Sequence, residues 1–161
     1  MKGNIKILIV EDDTPVAMMI AYLLTRAKCE VAVAKTAQEG MQLAEEEIFD
    51  LITLDVDLPD ANGYEICREL KQRHISRHTP IVFVSGRTCE VDRQRGLEAG
   101  AVDYIAKPFD AFEFAPRLIS HTKHTQEADS VGGNAESLAP ITKNAESDRV
   151  KVLHGIADKV L

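Results

Sequence analysis

Between residues 5 and 122 the chain alternates five times between a short β-rich run and a segment of helical period. The runs are IKILIV (5–10), EVAVA (30–34), DLITLD (50–55), PIVFVS (80–85) and AVDYIA (101–106). In the first intervening segment Val16, Ile20, Leu23, Leu24 and Ala27 share one stripe, with Thr14 placed to cap it and Pro15 at the first helical position. In the second, Ala37, Met41, Ala44 and Ile48 repeat at helical spacing after Thr36. Three further helices are expected at 62–73, 88–99 and 110–122. Strands 1, 3 and 4 are nearly continuous in Ile, Leu, Val and Phe, the pattern of strands covered by helices on both faces. The expected fold is therefore α/β: a doubly wound, five-stranded parallel sheet with right-handed crossovers and helices on both sides.

A chain of 161 residues holds one such domain plus an appendage, and 45% hydrophobic residues suffice for a core. The formal net charge of −7 argues against a broad grip on nucleic acid. No apolar stretch approaches a membrane span, and MKGNIKILIV turns acidic too soon for a signal peptide, so a cytoplasmic location is expected. Cys29, Cys67 and Cys89 have no CxxC spacing and read as reduced thiols. Residues 123–147 are polar, contain Gly-Gly and a Pro, and read as a linker; residues 148–161 regain helical spacing through Val150, Leu153, Ala157 and Val160. That last segment is expected to be a short amphipathic helix, either a tail or the start of a truncated output domain. No DNA-binding helix-turn-helix, cyclase or methylesterase pattern follows residue 122, so direct nucleic-acid binding by this chain is not expected.

The chemistry sits at the strand ends. Glu11, Asp12 and Asp13 follow strand 1, and Asp55 ends strand 3 with Asp57 two residues on. Ser85 ends strand 4, and strand 5 leads into Lys107. Open parallel sheets bind ligands at the C-terminal edge, where strand order reverses. If the order is 2-1-3-4-5, Glu11, Asp12 and Asp55 share one crevice there. At about 4 Å and an effective dielectric near 20, each close carboxylate pair repels by on the order of 4 kcal/mol. Such a cluster shares a proton or holds a hard divalent cation, and oxygen ligands with room for water suit Mg²⁺. Lys107 adds a cation apt for a phosphate oxygen. Metal, lysine and hydroxyl around a strand-tip Asp describe a carboxylate made ready for a phosphoryl group.

KILIVEDD, LDVDLPDANGYE, PIVFVSGR and GLEAGAVDYIAKPF occur in order over residues 4–122. Together they resemble the receiver domain of bacterial two-component response regulators. The resemblance implies a flavodoxin-like sheet of order 2-1-3-4-5 and a signalling role rather than an enzyme's. It implies that Asp55 is the phosphoacceptor, fed by a sensor histidine kinase or a histidine phosphotransfer protein. It assigns Asp12 and Asp55 to direct Mg²⁺ contact, Glu11 to contact through water, and Asp57 to its backbone carbonyl. Ser85 becomes the switch hydroxyl, Lys107 the phosphate partner, and Tyr104 the aromatic that turns inward in the active state. The bond from Lys107 to Pro108 is implied to be cis.

On this reading the Asp57 side chain is an extra acid placed to tune how water attacks the acyl phosphate. The surface of helix 4, strand 5 and helix 5 would change shape and offer a face for self-association. Two positions depart from the family pattern. Val102 stands where many relatives carry an acid, and Pro116 should kink helix 5 and so disturb a dimer of the usual geometry. Two other readings stay open on sequence grounds. Asp55-Val56-Asp57 fits the D-x-D pair of a haloacid dehalogenase-type phosphatase, although that pair would follow a first strand. A receiver-fold scaffold that binds a partner without phosphorylation is the other.

Overall fold

The computed structural model describes residues 3–129. Five strands, β1 (Lys6–Val10), β2 (Glu30–Ala34), β3 (Leu51–Leu54), β4 (Ile81–Ser85) and β5 (Asp103–Ala106), form one parallel sheet in the order β2-β1-β3-β4-β5. The helices are α1 (Thr14–Arg26), α2 (Ala37–Glu46), α3 (Gly63–Gln72), α4 (Glu90–Glu98) and α5 (Ala111–Asp129). No helix among the described residues is long and apolar enough to cross a membrane.

Side chains alternate across a strand, so the unbroken apolar runs feed two cores. Leu8, Val10, Ile52, Leu54, Ile81 and Phe83 point to one, shared with α2 and α3. Ile7, Ile9, Leu51, Val82, Val84 and Ile105 point to the other, against α1 and α5. Neighbouring residues of β5 also part company, Tyr104 joining the first core and Ile105 the second.

Local chemistry moves several expected boundaries. Asp13, not Thr14, caps α1: its carboxylate accepts from the Val16 N–H at 3.2 Å, while the Thr14 hydroxyl accepts from Lys35 Nζ at 2.8 Å. Thr36 caps α2 as expected, accepting from the Glu39 N–H. Ile48 does not join the α2 stripe; the helix ends at Glu46, Ile48 is exposed, and Phe49 fills the core instead. Pro116 lies inside α5 without ending it. The helix also runs on to Asp129, through the opening residues of the expected 123–147 linker, because no Pro or Gly interrupts that stretch before Gly132. The remaining linker and the 148–161 segment lie outside the described residues. No disulfide joins the three cysteines among the described residues; Cys29 and Cys67 are buried and Cys89 is exposed.

An ionic clamp holds α5 to the edge strand. Arg117 donates to both Asp103 carboxylate oxygens at 2.7 Å, and His121 Nε2 lies 2.9 Å from Oδ2. Burial alone would raise the Asp103 pKa; the bonds from Arg117, His121 and the Tyr104 N–H outweigh it and hold it at about 2. As pH falls from 3.8 toward 2, the unfolded chain binds a proton that the folded chain resists. Folding stability should therefore drop by about 2 kcal/mol across that window. Urea midpoints measured through this range should show the drop, and Asp103→Asn should make it smaller by about that amount.

Candidate functional site

Backbone hydrogen bonds of strand type continue one residue past the strand tips. The Glu11 N–H donates to Ala34 O at 2.9 Å, the Asp55 N–H to Val10 O at 3.0 Å, and the Lys107 N–H to Ser85 O at 2.8 Å. Three residues that emerge just beyond β1, β3 and β5 are thus fixed at one edge of the sheet. The sequence brings acids and a lysine to that edge, and the sheet aligns them.

Lys107 Nζ donates to Glu11 Oε2 at 2.8 Å and to Asp55 Oδ2 at 3.2 Å. Glu11 is 2% exposed and Asp55 is 7% exposed, so both anions depend on that ammonium group for compensation. Burial pushes Glu11 up to about 7 against the pull of Lys107, and the nearby Asp55 charge adds to the rise. Burial would lower Lys107, but Glu11 and Asp55 win and its pKa is raised. One carboxylate oxygen from each of Glu11, Asp12 and Asp55 lies within 4.8 Å of the others. Asp12 is exposed, which leaves an open side. An all-oxygen set of this size, two members buried and one facing water, fits a hard divalent cation such as Mg²⁺. Beside it lies a cleft of about 310 Å³ lined by Asp12, Val56, Asp57, Leu58, Pro59, Ala61 and Asn62.

The loop after β3 is pinned at both ends. Asn62 caps α3 through Tyr64 N–H at 2.9 Å, and the Gly63 N–H donates to Val56 O at 2.8 Å. A Cβ on Gly63 would meet Asp55 O at 2.2 Å and Val56 Cα at 2.8 Å. The start of α3 can approach the Asp55 main chain this closely only because residue 63 has no side chain. The Asp57 N–H donates to Asp55 Oδ1 at 3.4 Å. The Asp57 carboxylate is not one of the clustered oxygens; Arg87 engages it, Nη2 to Oδ1 at 2.7 Å and Nε to Oδ2 at 3.0 Å. That bond to Arg87 holds the Asp57 pKa below the usual carboxylate value.

Ser85 is fully buried at the end of β4, and its Oγ accepts from the Arg87 N–H at 3.2 Å. The Tyr104 ring lies inward, 2% exposed, with its hydroxyl donating to Arg87 O at 2.8 Å. Phe83 lies between two tyrosines in tilted contacts, 5.3 Å from Tyr64 and 5.9 Å from Tyr104 by ring centroids. Gly96 of α4 rests on this row; a Cβ there would lie 3.0 Å from both Phe83 and Tyr104. The Lys107–Pro108 peptide bond is cis.

The response regulator receiver domain family matches residues 7–118. The chain belongs to that family. Among relatives of this receiver, the Staphylococcus aureus response regulator ArlR is 36% identical over 140 residues, which cover 87% of this chain. The chain spans 61% of the length of those curated relatives. A CheY-like receiver domain protein from Methanospirillum hungatei superposes with a TM-score of 0.73 at 28% identity, covering 78% of this chain and 99% of its own. The receiver domain of the sensor histidine kinase PA1611 from Pseudomonas aeruginosa, described with a magnesium ion coordinated in its active site cleft, superposes at 0.66 with 30% identity. It covers 75% of this chain and 99% of that one.

The receiver's sheet edge brings together the expected Glu11, Asp12, Asp55 and Lys107, with Ser85 alongside. Sequence reasoning passed over Arg87, Asn62 and Tyr64. Arg87 stands thirty positions from Asp57, so only the parallel pairing of β3 and β4 makes them neighbours. The signal available was an unpaired acid after one strand tip and an arginine after the next. Gly63→Ala should push α3 off the loop after β3 and destabilise the domain by about 2–4 kcal/mol, measured by urea unfolding.

Proposed function

We propose that this receiver accepts a phosphoryl group from a sensor histidine kinase or a histidine phosphotransfer protein onto Asp55, with Mg²⁺ as cofactor. The observation that supports this reading is the clustering of Glu11, Asp12 and Asp55 oxygens with Lys107 Nζ 3.2 Å from Asp55 Oδ2. Asp55 is the nucleophile: a carboxylate oxygen bonds to phosphorus as the phosphorus–nitrogen bond of the donor phosphohistidine breaks, and the imidazole departs with the electron pair. No general base is required, since an ionised carboxylate attacks as it stands.

Lys107 neutralises charge as the acceptor and phosphoryl oxygens approach, and its two partners hold it aimed at them. A Mg²⁺ held by Asp12, Asp55 and the Asp57 main-chain carbonyl, with Glu11 acting through water, would supply further charge neutralisation for the phosphoryl oxygens. Ser85 is the hydroxyl that donates to a phosphoryl oxygen, since its Oγ only accepts from Arg87 and keeps its proton to give. Tyr104 then stabilises the switched arrangement by filling the space under the loop after β4. The output is a changed surface of α4, β5 and α5, where Val91, Leu97 and Val102 are exposed. That face is offered to an effector or to a second copy.

A small phosphodonor such as acetyl phosphate, given with Mg²⁺, should add one phosphoryl group per chain, read as an intact-mass shift. Chelation should prevent it, Asp55→Asn should abolish it, and Lys107→Ala should slow it by about 10²-fold or more. Turnover of a generic phosphate ester without a labelled intermediate would favour a phosphatase. Absence of any label under these conditions would favour the scaffold reading.

A further inference from the structure

Arg87 meets three parts of the site at once. Its guanidinium grips the Asp57 carboxylate, its N–H donates to Ser85 Oγ, and its carbonyl accepts from the Tyr104 hydroxyl. We propose that Arg87 is a positioning residue: anchored on Asp57, it carries the main-chain carbonyl that keeps Tyr104 inward, and so ties the acceptor loop to the switch aromatic.

The loop between β4 and α4 has Gly86 at its start, which supplies no side chain to pack and leaves open space around itself. From Gly86 to Cys89 every residue is exposed, so little packing fixes where the Arg87 carbonyl points. The one side-chain anchor from this stretch to the rest of the site, among the interactions of the described residues given above, is the fork from Arg87 to Asp57. A planar guanidinium bound at two nitrogens fixes orientation as well as distance, which a single-point cation does not. The other walls of the Tyr104 position are built in: Phe83 beside the ring and Gly96 of α4, where an added Cβ would come within 3.0 Å of the ring. Arg93 of α4 lies over the ring, 5.9 Å from its centroid. The Tyr64 hydroxyl also meets the Tyr104 side chain, but it is held in turn by Asp92 of α4; the Arg87 carbonyl is the wall carried by the exposed loop.

The pair is partly exposed, with side chains 46% and 57% accessible, so it biases Tyr104 rather than freezing it. Anything that draws Asp57 toward the phosphorylation site therefore moves the acceptor of the Tyr104 hydrogen bond. The proposal deepens the reading of Tyr104 as the switch aromatic and rests on it.

The test reads the ring directly. The chain has three tyrosines, Tyr22, Tyr64 and Tyr104, so uniform 3-fluorotyrosine labelling of the full chain gives resonances that Tyr→Phe variants assign. Arg87→Ala deletes the fork but keeps the carbonyl that Tyr104 uses, so any change at Tyr104 reports loop position and not a lost acceptor. In Arg87→Ala the inward-to-outward ratio of Tyr104 should fall by about threefold to tenfold, with the Tyr22 signal on α1 unmoved as the check on folding. Asp57→Ala should reproduce the change, and the double variant should add nothing further. Arg87→Lys should fall between wild type and Arg87→Ala. An unchanged Tyr104 resonance in Arg87→Ala overturns the proposal, as does an effect of Arg87→Ala that Asp57→Ala fails to share. The spectra are recorded without phosphodonor, so a failure of labelling at Asp55 and a failure of this joint are seen in different measurements.

Discussion

Glu11 and Asp55 are two carboxylates almost without water, set side by side by the ladder between β1 and β3, and the Lys107 ammonium touches both. Most of the domain can be understood as what is needed to hold that arrangement. The anions repel, so a cation must come from elsewhere in the chain, and the far strand β5 supplies it. The sheet must therefore be complete from β1 to β5 before the charges balance. Removing the lysine would leave two buried acids uncompensated, which is costlier than never having buried them. An arrangement that tolerates the repulsion is also one that welcomes a divalent cation, since the same oxygens that oppose each other can share a positive centre.

How far the sequence discloses this depends on the kind of contact. The layered helices and the parallel sheet follow from unbroken apolar runs alternating with helical stripes, which bury both faces of the strands, whereas the strand order came from the resemblance to receivers and not from those runs. Glu11, Asp12, Asp55, Ser85 and Lys107 were legible because each sits at a strand end, and in a parallel sheet those ends converge. Caps were harder. Thr14 and Asp13 are both good capping residues, and the choice between them was made by Lys35, which occupies the threonine hydroxyl from β2's far end. Ile48 fits a helical period by spacing alone, yet the helix stops first, and period carries no information about where a helix frays. Arg87 was invisible for a different reason: its partner lies across a crossover connection, so neither composition nor local spacing marks it.

Asp57 shows how one residue can serve through two of its parts. Its main chain lies in the loop beside the oxygen cluster, and its side chain reaches the loop after β4. The bond to Arg87 keeps the carboxyl ionised and occupied. The carboxylate is thus committed to the loop after β4 while the main chain stays with the loop after β3.

The sheet also works as a partition. Tyr104 belongs with Phe83 and Tyr64 on one side, while its neighbour Ile105 belongs with α1 and the apolar stripe of α5 on the other. A rotation of the Tyr104 ring disturbs packing on its own side, and the wall of strands shields the opposite layer. A protein that grasps α1 would then find the same contour before and after the ring turns, whereas one that grasps α4 would not. The five strands thus insulate one layer of side chains from rearrangement in the other.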